Sequence, residues 1–232
     1  MPIQVAKDKF IQFVYDPDYL HEKDPEKDKI WQETISAPDS ICKSIGIKTI
    51  KSKIKIDGGN VIRSANKVIM TNKVFAENPD IDEKHLVNEL KALFDVDTLV
   101  ILPQDPTDFT GHSDGMVRFI DENRVFINKY RTEDIQTERA VKDCLYNANI
   151  EWIEIPYNPY DNKSDIDANG VYINYLQMKD VIIMPVFGLR DDDIAAKQLE
   201  NVFPDKAVRT IESSQLARDG GVLNCISWNI YA

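Results

Sequence analysis

The pattern of apolar and polar positions along this chain repeats about four times. Each repeat predicts two short strands, an amphipathic helix and a third, more continuously apolar strand. In the repeat that follows Gly59, the predicted elements are strands at 61–64 and 67–71, a helix at 82–95 and a strand at 98–102. Glycines recur roughly every fifty to sixty residues, the length of supersecondary units that form arrays. The pattern therefore predicts an α/β protein built from ββαβ modules.

The remaining repeats are predicted in the same way, and the last one is divided between the two ends of the chain. In the next repeat, strands are predicted at 116–120, 124–128 and 150–155 around a helix that Thr132 caps. In the one after it, strands are predicted at 171–176, 181–186 and 207–211 around a helix at 191–202. The last repeat begins with a strand at 221–228 and continues at the N-terminal end with a helical region at 29–44, interrupted at Pro38, and a strand at 47–56. Because the C-terminal strand would pair with N-terminal strands, we expect a closed ring without exposed edges. The loops at 103–110 and 156–169 are expected at its rim, and residues 1–232 are expected to form one domain.

Composition and charge narrow the classes of function. The 232 residues carry a net charge of −11 and scattered basic residues, so binding to nucleic acid or to an anionic membrane is not expected. No apolar run reaches the ~18 residues of a membrane-spanning helix, and the N-terminus lacks the apolar core of a signal peptide. Three cysteines without a Cys-x-x-Cys pair favour a reducing, cytoplasmic compartment. His and Cys are too few and too far apart for a zinc site, and neither a metal nor a cofactor is expected.

Three glycine-containing segments carry the candidate chemistry, and each stands where a module begins. They are Asp57-Gly58-Gly59-Asn60, Gly111-His112-Ser113-Asp114-Gly115 and Gly220-Gly221-Val222-Leu223-Asn224-Cys225. If the modules surround an axis, equivalent positions converge, which would bring the thiol, the imidazole and two carboxylates together. His112 and Asp114 are two residues apart, so a strand would direct both side chains to the same face.

This set of groups suits nucleophilic substitution at the carbon of a guanidinium group. Cys225 would attack as a thiolate, and His112 would protonate the departing ammonia and then activate water. Asp57 and Asp114 would hold the guanidinium nitrogens through charge-assisted hydrogen bonds. Each residue also has an ordinary structural explanation: a small buried apolar residue in a strand for Cys225, local turn hydrogen bonding for the other three. Their equivalent places in successive modules favour one common site.

Several segments, in one order along most of the chain, carry a family resemblance. The stronger segments are 56–60, 108–115 followed by Arg118-Phe119, and 220–228; the weaker ones are 77–79, 172–175, 184–188 and 202–204. In these segments the chain resembles the guanidine-modifying enzyme superfamily, in particular agmatine deiminases and bacterial peptidylarginine deiminases. The resemblance implies a pentein-type α/β-propeller of ββαβ modules with pseudo-fivefold symmetry. It also implies Cys225 as nucleophile and His112 as general acid/base, with Asp57 and Asp114 around the guanidinium.

The chain departs from the family pattern in two places. The family's Trp-x-Arg-Asp-x-Gly-Pro segment, whose Asp binds the guanidinium, has no match upstream of residues 12–19. About four modules are therefore expected, with the first one missing, and Asp16, Asp18 or a partner chain is expected to supply the lost carboxylate for substrate binding. The second departure is Asn224, which stands where the family has a histidine before the nucleophile.

The resemblance implies hydrolysis of a guanidino group, of the agmatine or peptidyl-arginine type, to a ureido group and ammonia through a covalent cysteine intermediate. The expected partner is a cationic guanidino small molecule or an arginine peptide. The aromatic cluster Trp152, Tyr157 and Tyr160 is expected near the mouth of the cavity, although packing within its strand is the favoured expectation for Trp152. An alternative is a catalytically impaired homologue that binds a cation or a protein, forms a homo-oligomer, or is completed by a partner chain at an open module edge. Transfer of the amidino group to an amine in place of water also stays open.

Overall fold

Four small mixed sheets make up the β-structure of the protein. The computed structural model describes residues 2–21, 26, 28, 29, 33, 35–164 and 166–231. Within these residues each sheet has three strands. The middle strand pairs antiparallel with the strand before it and parallel with the strand after it. Because a parallel pair needs a crossover connection, a helix lies between the second and third strands of each sheet.

The observed bounds define the four modules. The strands are β1 (Ile3–Ala6), β2 (Lys9–Val14) and β3 (Thr49–Lys55); β4 (Ile62–Arg63), β5 (Lys67–Thr71) and β6 (Thr98–Leu102); β7 (Val117–Phe119), β8 (Arg124–Lys129) and β9 (Glu151–Pro156); β10 (Leu176–Gln177), β11 (Val181–Val186) and β12 (Ala207–Glu212). The helices are α1 (Pro38–Ser44), α2 (Lys73–Glu77), α3 (Glu83–Phe94), α4 (Ile135–Asn147), α5 (Asp191–Val202) and α6 (Ser214–Ala217). Short 3₁₀ turns at Gly58–Asn60 and Ser113–Gly115 lie just before β4 and β7.

The apolar runs of the middle strands are explained by burial on both faces of the sheets. Val68, Ile69 and Met70 in β5 have no exposed surface. Val68 and Met70 pack in the core between the first two modules, whereas Ile69 packs in the core between the second and third. A further core joins the third and fourth modules. The second and third modules thus bury one face against the module before them and the other against the module after them.

Helix α3 shows how the local sequence fixes an element. The Asp82 carboxylate accepts a hydrogen bond from the backbone N–H of His85 at 3.0 Å, which caps the first turn. Asp95 ends the helix in a left-handed conformation, with φ of 56°. Leu86, Leu90 and Phe94, which share one face at helical spacing, are fully buried. The helix predicted at 82–95 is therefore confirmed.

Two expectations about the ends of the chain are wrong. No strand forms at 221–228; this segment turns instead, so Cys225 does not lie on a strand. The N-terminal sheet is complete in itself, with the unpredicted hairpin β1–β2 pairing with β3. Strand pairing therefore does not join the two ends among the described residues. Gln4 contacts the backbone N–H and C=O of Tyr231 instead, at 2.8 and 2.9 Å.

Three smaller expectations also need correction. The strand predicted at 171–176 shrinks to β10 and one bridge, because the chain there forms turns. Thr132 begins a 3₁₀ turn before α4, and no side chain caps that turn. Pro38 begins α1 where it was expected to interrupt a longer helix, because proline fits the first helical turn. Part of the helical region predicted at 29–44 lies outside the described residues.

Helix length and hydropathy bear on the membrane question. No helix among the described residues is both long enough and apolar enough to cross a bilayer.

Candidate active site

A cavity of about 860 Å³ gathers the glycine-containing segments of three modules. Asp57, His112, Asp114 and Cys225 all line it, although they are up to 168 residues apart in the chain. The convergence expected from their equivalent positions is thus observed. It does not depend on strand geometry, because Ser113–Gly115 is a 3₁₀ turn and not the strand that was expected to direct His112 and Asp114 to one face.

Two of these segments are tied together by buried polar groups. The Asn60 side-chain oxygen accepts hydrogen bonds from the N–H and the hydroxyl of Thr71, at 2.8 and 3.0 Å. The same hydroxyl lies 2.6 Å from the carbonyl oxygen of Gly111. A Cβ atom on Gly59 would stand 2.4 Å from Nδ1 of His112. Glycine is therefore required at position 59 for the imidazole to occupy its place.

The imidazole of His112 is held by a buried carboxylate. Its Nε2 lies 3.0 Å from Oδ2 of Asp57, and both side chains are almost completely buried. The Tyr19 ring packs edge-on against the imidazole, with centroids 5.8 Å apart. Burial by itself would lower the pKa of His112, but the hydrogen bond to Asp57 and the charges of Asp114 and Asp108 outweigh it and raise the pKa. The site therefore favours the protonated form of His112 more than water does.

The thiol of Cys225 lies beside a carboxylate and an amide. Its Sγ is 3.7 Å from Oδ2 of Asp114 and 3.2 Å from Nδ2 of Asn174. Burial and the negative charge of Asp114 raise the pKa of the thiol to about 12. The resting site therefore holds a thiol that a bound cation could convert to a thiolate.

Asp114 is the point where the site groups meet. Its Oδ2 lies 2.9 Å from Nδ2 of Asn224, in addition to its contact with Cys225. Burial raises the pKa of Asp114, while the His112 charge and the Asn224 hydrogen bond act against this rise. Asp114 thus connects the imidazole to the thiol electrostatically.

Asn174 was not identified as a site residue from the sequence. Its side-chain oxygen accepts hydrogen bonds from the backbone N–H groups of Asn224 and Cys225, at 3.0 and 3.3 Å. These bonds hold the turn that presents the thiol. The resemblance at 172–175 was the one signal that pointed to it, because its partners lie about fifty residues away and no local pattern records them.

Asp16 and Asp18 do not supply a carboxylate to this cavity. Asp16 lies 2.5 Å from Nζ of Lys55 and 2.8 Å from Nε2 of His21. Asp18 forms an ion pair with Lys73. Neither aspartate is among the residues that line the cavity.

Of the three aromatic residues expected at the mouth, only Tyr157 lines the cavity. Trp152 packs against the core between the second and third modules. The guanidinium of Arg131 covers the Tyr160 ring at 4.1 Å from its centroid.

The charged residues that line the cavity are mainly acidic. The lining residues include six aspartates and no Lys or Arg among the described residues. The six are Asp57, Asp105, Asp108, Asp114, Asp167 and Asp219. No group of three or more His, Cys, Asp or Glu within the described part of the chain is placed to hold a metal ion. The acidic residues of the wall therefore favour a cation as the ligand.

Comparisons with known proteins identify the family of the chain. The model of the Porphyromonas-type peptidyl-arginine deiminase family matches residues 2–230. A provisionally named agmatine deiminase of Mycoplasma mycoides subsp. mycoides is 22% identical over 231 residues, which cover 85% of this chain and 63% of the relative. A similarly named protein of Vibrio parahaemolyticus is 23% identical, with 87% and 65% covered. The chain spans less than two thirds of the length of these curated relatives.

Solved structures establish the fold. The agmatine deiminase of C. jejuni superposes with a TM-score of 0.74 at 18% identity, covering 94% of this chain and 66% of that protein. The agmatine deiminase of Enterococcus faecalis gives 0.74 at 18% identity, with 94% and 68% covered. The predicted pentein-type fold of ββαβ modules is thereby confirmed. Because the family match extends over nearly the whole sequence, the chain belongs to the Porphyromonas-type peptidyl-arginine deiminase family.

Proposed function

We propose that this chain hydrolyses a guanidino group to a ureido group and ammonia, with Cys225 as the nucleophile. One observation carries the proposal: a thiol, an imidazole and two carboxylates line a single cavity whose wall has no Lys or Arg among the described residues. These groups provide the attacking atom, the proton carrier and the anions that a planar cation requires.

Substrate binding would prepare the nucleophile. A guanidinium held by Asp57 and Asp114 would form charge-assisted hydrogen bonds with both carboxylates. Its positive charge would offset the negative charge of Asp114, which raises the pKa of the Cys225 thiol in the empty site. The thiol would then lose its proton when the substrate is already in place, so the thiolate would form only where it can react.

The chemical steps follow from the same groups. The thiolate sulfur bonds to the guanidinium carbon and gives a tetrahedral adduct. His112 in its protonated form donates its proton to one amino nitrogen, and the C–N bond breaks to release ammonia. His112 then takes a proton from water, and the resulting hydroxide attacks the remaining thiouronium carbon. As the C–S bond breaks, the hydroxyl of this second adduct gives its proton to the solvent and the thiolate returns. The product keeps the water oxygen in its ureido group.

The lining also bears on the choice of substrate. A free amino acid would bring a carboxylate into a wall that carries six aspartates and no Lys or Arg among the described residues. Agmatine and a peptidyl arginine both lack that carboxylate. The two structural relatives compared above are named agmatine deiminases. We therefore place agmatine-type and peptidyl-arginine substrates ahead of free arginine.

Ammonia release tests this proposal directly. The chain is incubated separately with agmatine, an arginine peptide with blocked ends and free arginine, and ammonia and the ureido product are both measured. We expect turnover of at least one of the first two, and none after Cys225→Ser. Cys144→Ser is the matched control, because Cys144 is a half-buried cysteine outside the cavity. Absence of ammonia from all three compounds would contradict the proposal.

A second candidate function is binding of a guanidino cation without turnover. The engagement of Asp16 and Asp18 by other side chains favours it, because neither then replaces the carboxylate of the family segment that has no match here. A partner chain or a second copy would then supply a further carboxylate at an open module edge. A rise in melting temperature with agmatine but no ammonia would support this candidate, and restored turnover in a larger assembly would identify the missing component.

A further inference from the structure

A second cavity, of about 560 Å³, lies among the first strands of all four modules. Each of these strands contributes a polar side chain to the wall: Gln4 from β1, Arg63 from β4, Arg118 from β7 and Gln177 from β10. In β7 the neighbours of Arg118, Val117 and Phe119, are buried in the core between the second and third modules. Alternation along the strand therefore directs Arg118 away from that core.

The charge of the second cavity is opposite to that of the first. Its lining includes Lys7, Arg63 and Arg118, and no Asp or Glu among the described residues. This distribution is unexpected in a chain with a net charge of −11. A wall with positive groups and no negative ones attracts anions and repels the cations that suit the first cavity.

The two arginines are held by neutral partners. Arg63 donates hydrogen bonds to the carbonyl oxygens of Gln4 and Ser64, at 3.0 and 3.2 Å. Arg118 donates to the side-chain oxygen of Asn224 at 2.5 Å, and its guanidinium lies 5.0 Å from the centroid of the Tyr175 ring. Neither arginine forms an ion pair with a carboxylate within the described residues. Both side chains are half-buried, and they are left without a counter-charge in direct contact.

The direction of the pKa shift of Arg63 agrees with the lack of a contacting carboxylate among the described residues. Burial lowers the pKa of its guanidinium, although the more distant charges of Asp95 and Glu122 act to raise it. Neither acidic residue lines the cavity. A half-buried cation in this condition gains stability when an anion reaches it.

We propose that the second cavity is a binding site for a small anion that carries a carboxylate or phosphate group, held by Arg63 and Arg118. The planar guanidinium groups would each offer a pair of parallel N–H donors to the anion's oxygens. Lys7, at the turn between β1 and β2, would add a third positive charge at the edge of the site. The cavity is large enough for such a ligand, because its volume of about 560 Å³ is in the range of small-molecule sites.

Calorimetric titration tests this site without reference to deimination. The chain is titrated separately with inorganic phosphate and with citrate, at fixed ionic strength and in a buffer that contains neither. We expect saturable binding of at least one anion with one site per chain. Heat with phosphate alone identifies a phosphate site, heat with citrate alone a carboxylate site, and heat with both a site for either group.

Variants connect that binding to the two arginines. Arg63→Gln and Arg118→Gln should each weaken binding about tenfold or more, since each removes a charged hydrogen-bonding partner. Arg118→Lys keeps the positive charge but loses the pair of parallel N–H donors, and should give an intermediate affinity. Arg139→Gln is the matched control, because it removes the same charge from an exposed position on α4, outside the cavity. Circular dichroism of each variant confirms that it is folded.

Three results would overturn the anion site. They are the absence of binding with both anions, unchanged affinity in a folded Arg118→Gln or Arg118→Lys variant, and an equal loss of affinity in Arg139→Gln. A negative result leaves the deiminase proposal unaffected, because the measurement reads binding at a different cavity and not turnover.

Discussion

The two cavities of this protein share part of one wall and have opposite charges. Asn224 and Trp228 line both. The first cavity has six aspartates and no Lys or Arg in its described lining, and the second has three basic residues and no acidic one. The difference arises from which part of each module faces the cavity: glycine-containing turns in the first, side chains of the first strands in the second. One repeated scaffold therefore provides two kinds of binding surface, which the net charge of the whole chain does not reveal.

The largest expected effect is at the thiol in the first cavity. Cys225→Ser should reduce turnover of the best guanidino substrate by at least about a thousandfold, because the hydroxyl is a much weaker nucleophile in the same position. Steady-state ammonia release measures it. A variant that keeps even a tenth of the parent rate would show that the reaction does not pass through this sulfur.

The next effect tests the steric requirement at the glycine turn. Gly59→Ala should lower kcat/KM by about a hundredfold, because its Cβ would displace the His112 imidazole from a position 2.4 Å away. Gly58→Ala is the control, since a Cβ there meets no atom within 4 Å. Equal losses in the two variants would indicate a general effect on the turn and not a clash with the imidazole.

A smaller effect concerns pH and stability. The pKa of His112 is raised in the folded protein above its ordinary value of 6.5, so the folded state binds this proton more tightly than the unfolded state. The resulting stabilisation is fully present below pH 6.5 and is lost as the pH rises through the folded-state pKa. Denaturant unfolding across this pH range should show a loss of unfolding free energy. His112→Gln should abolish this loss, whereas His85→Gln, on the exposed face of α3, should retain it. The same pH slope in His112→Gln would assign the effect to another group.

The smallest expected effect joins the two cavities. Arg118 contacts Asn224, which in turn contacts Asp114, so an anion on Arg118 would compete for one end of this connection. We expect Arg118→Gln to lower kcat/KM by a factor of about three to ten, and Arg63→Gln to lower it by less. The reason is that Arg118→Gln removes one hydrogen bond to the neutral Asn224 side chain, and such a bond is worth about 1 kcal/mol. Initial rates over a range of substrate concentrations that reaches saturation give kcat and KM separately. Identical values for Arg118→Gln and the parent would show that the cavities act independently.

Much of the modular fold could be predicted from the sequence. The helix at 191–202 and the strands at 98–102 and 181–186 have the predicted bounds. Their apolar residues follow one clear period or one uninterrupted run, and the burial of both faces explains why the signal is strong. The convergence of the four candidate residues on one cavity was also predicted, because Asp57, His112 and Asp114 stand just before the first strands of two modules.

The errors arise where distant contacts override local preference. Residues 221–228 are rich in apolar residues, as a buried strand is, yet Gly220 has φ of 94° and Asn174 accepts hydrogen bonds from the N–H groups of Asn224 and Cys225. These hydrogen bonds replace a strand ladder and form a turn. Asn174 and Arg118 belong to short segments whose partners lie fifty to more than a hundred residues away, so no local periodicity could assign their roles.

The most direct test of the central claim compares a cationic and a neutral alkylating reagent at Cys225. 2-Chloroacetamidine carries the planar positive group that the first cavity should attract, whereas 2-chloroacetamide has nearly the same shape without the charge. Mass spectrometry of timed digests gives the rate at each cysteine. We expect the amidine to modify Cys225 at least about tenfold faster than the amide, with this preference lost in Asp114→Asn and absent at Cys42 and Cys144. Equal rates for the two reagents at Cys225 would contradict a cavity that brings a cation to this sulfur.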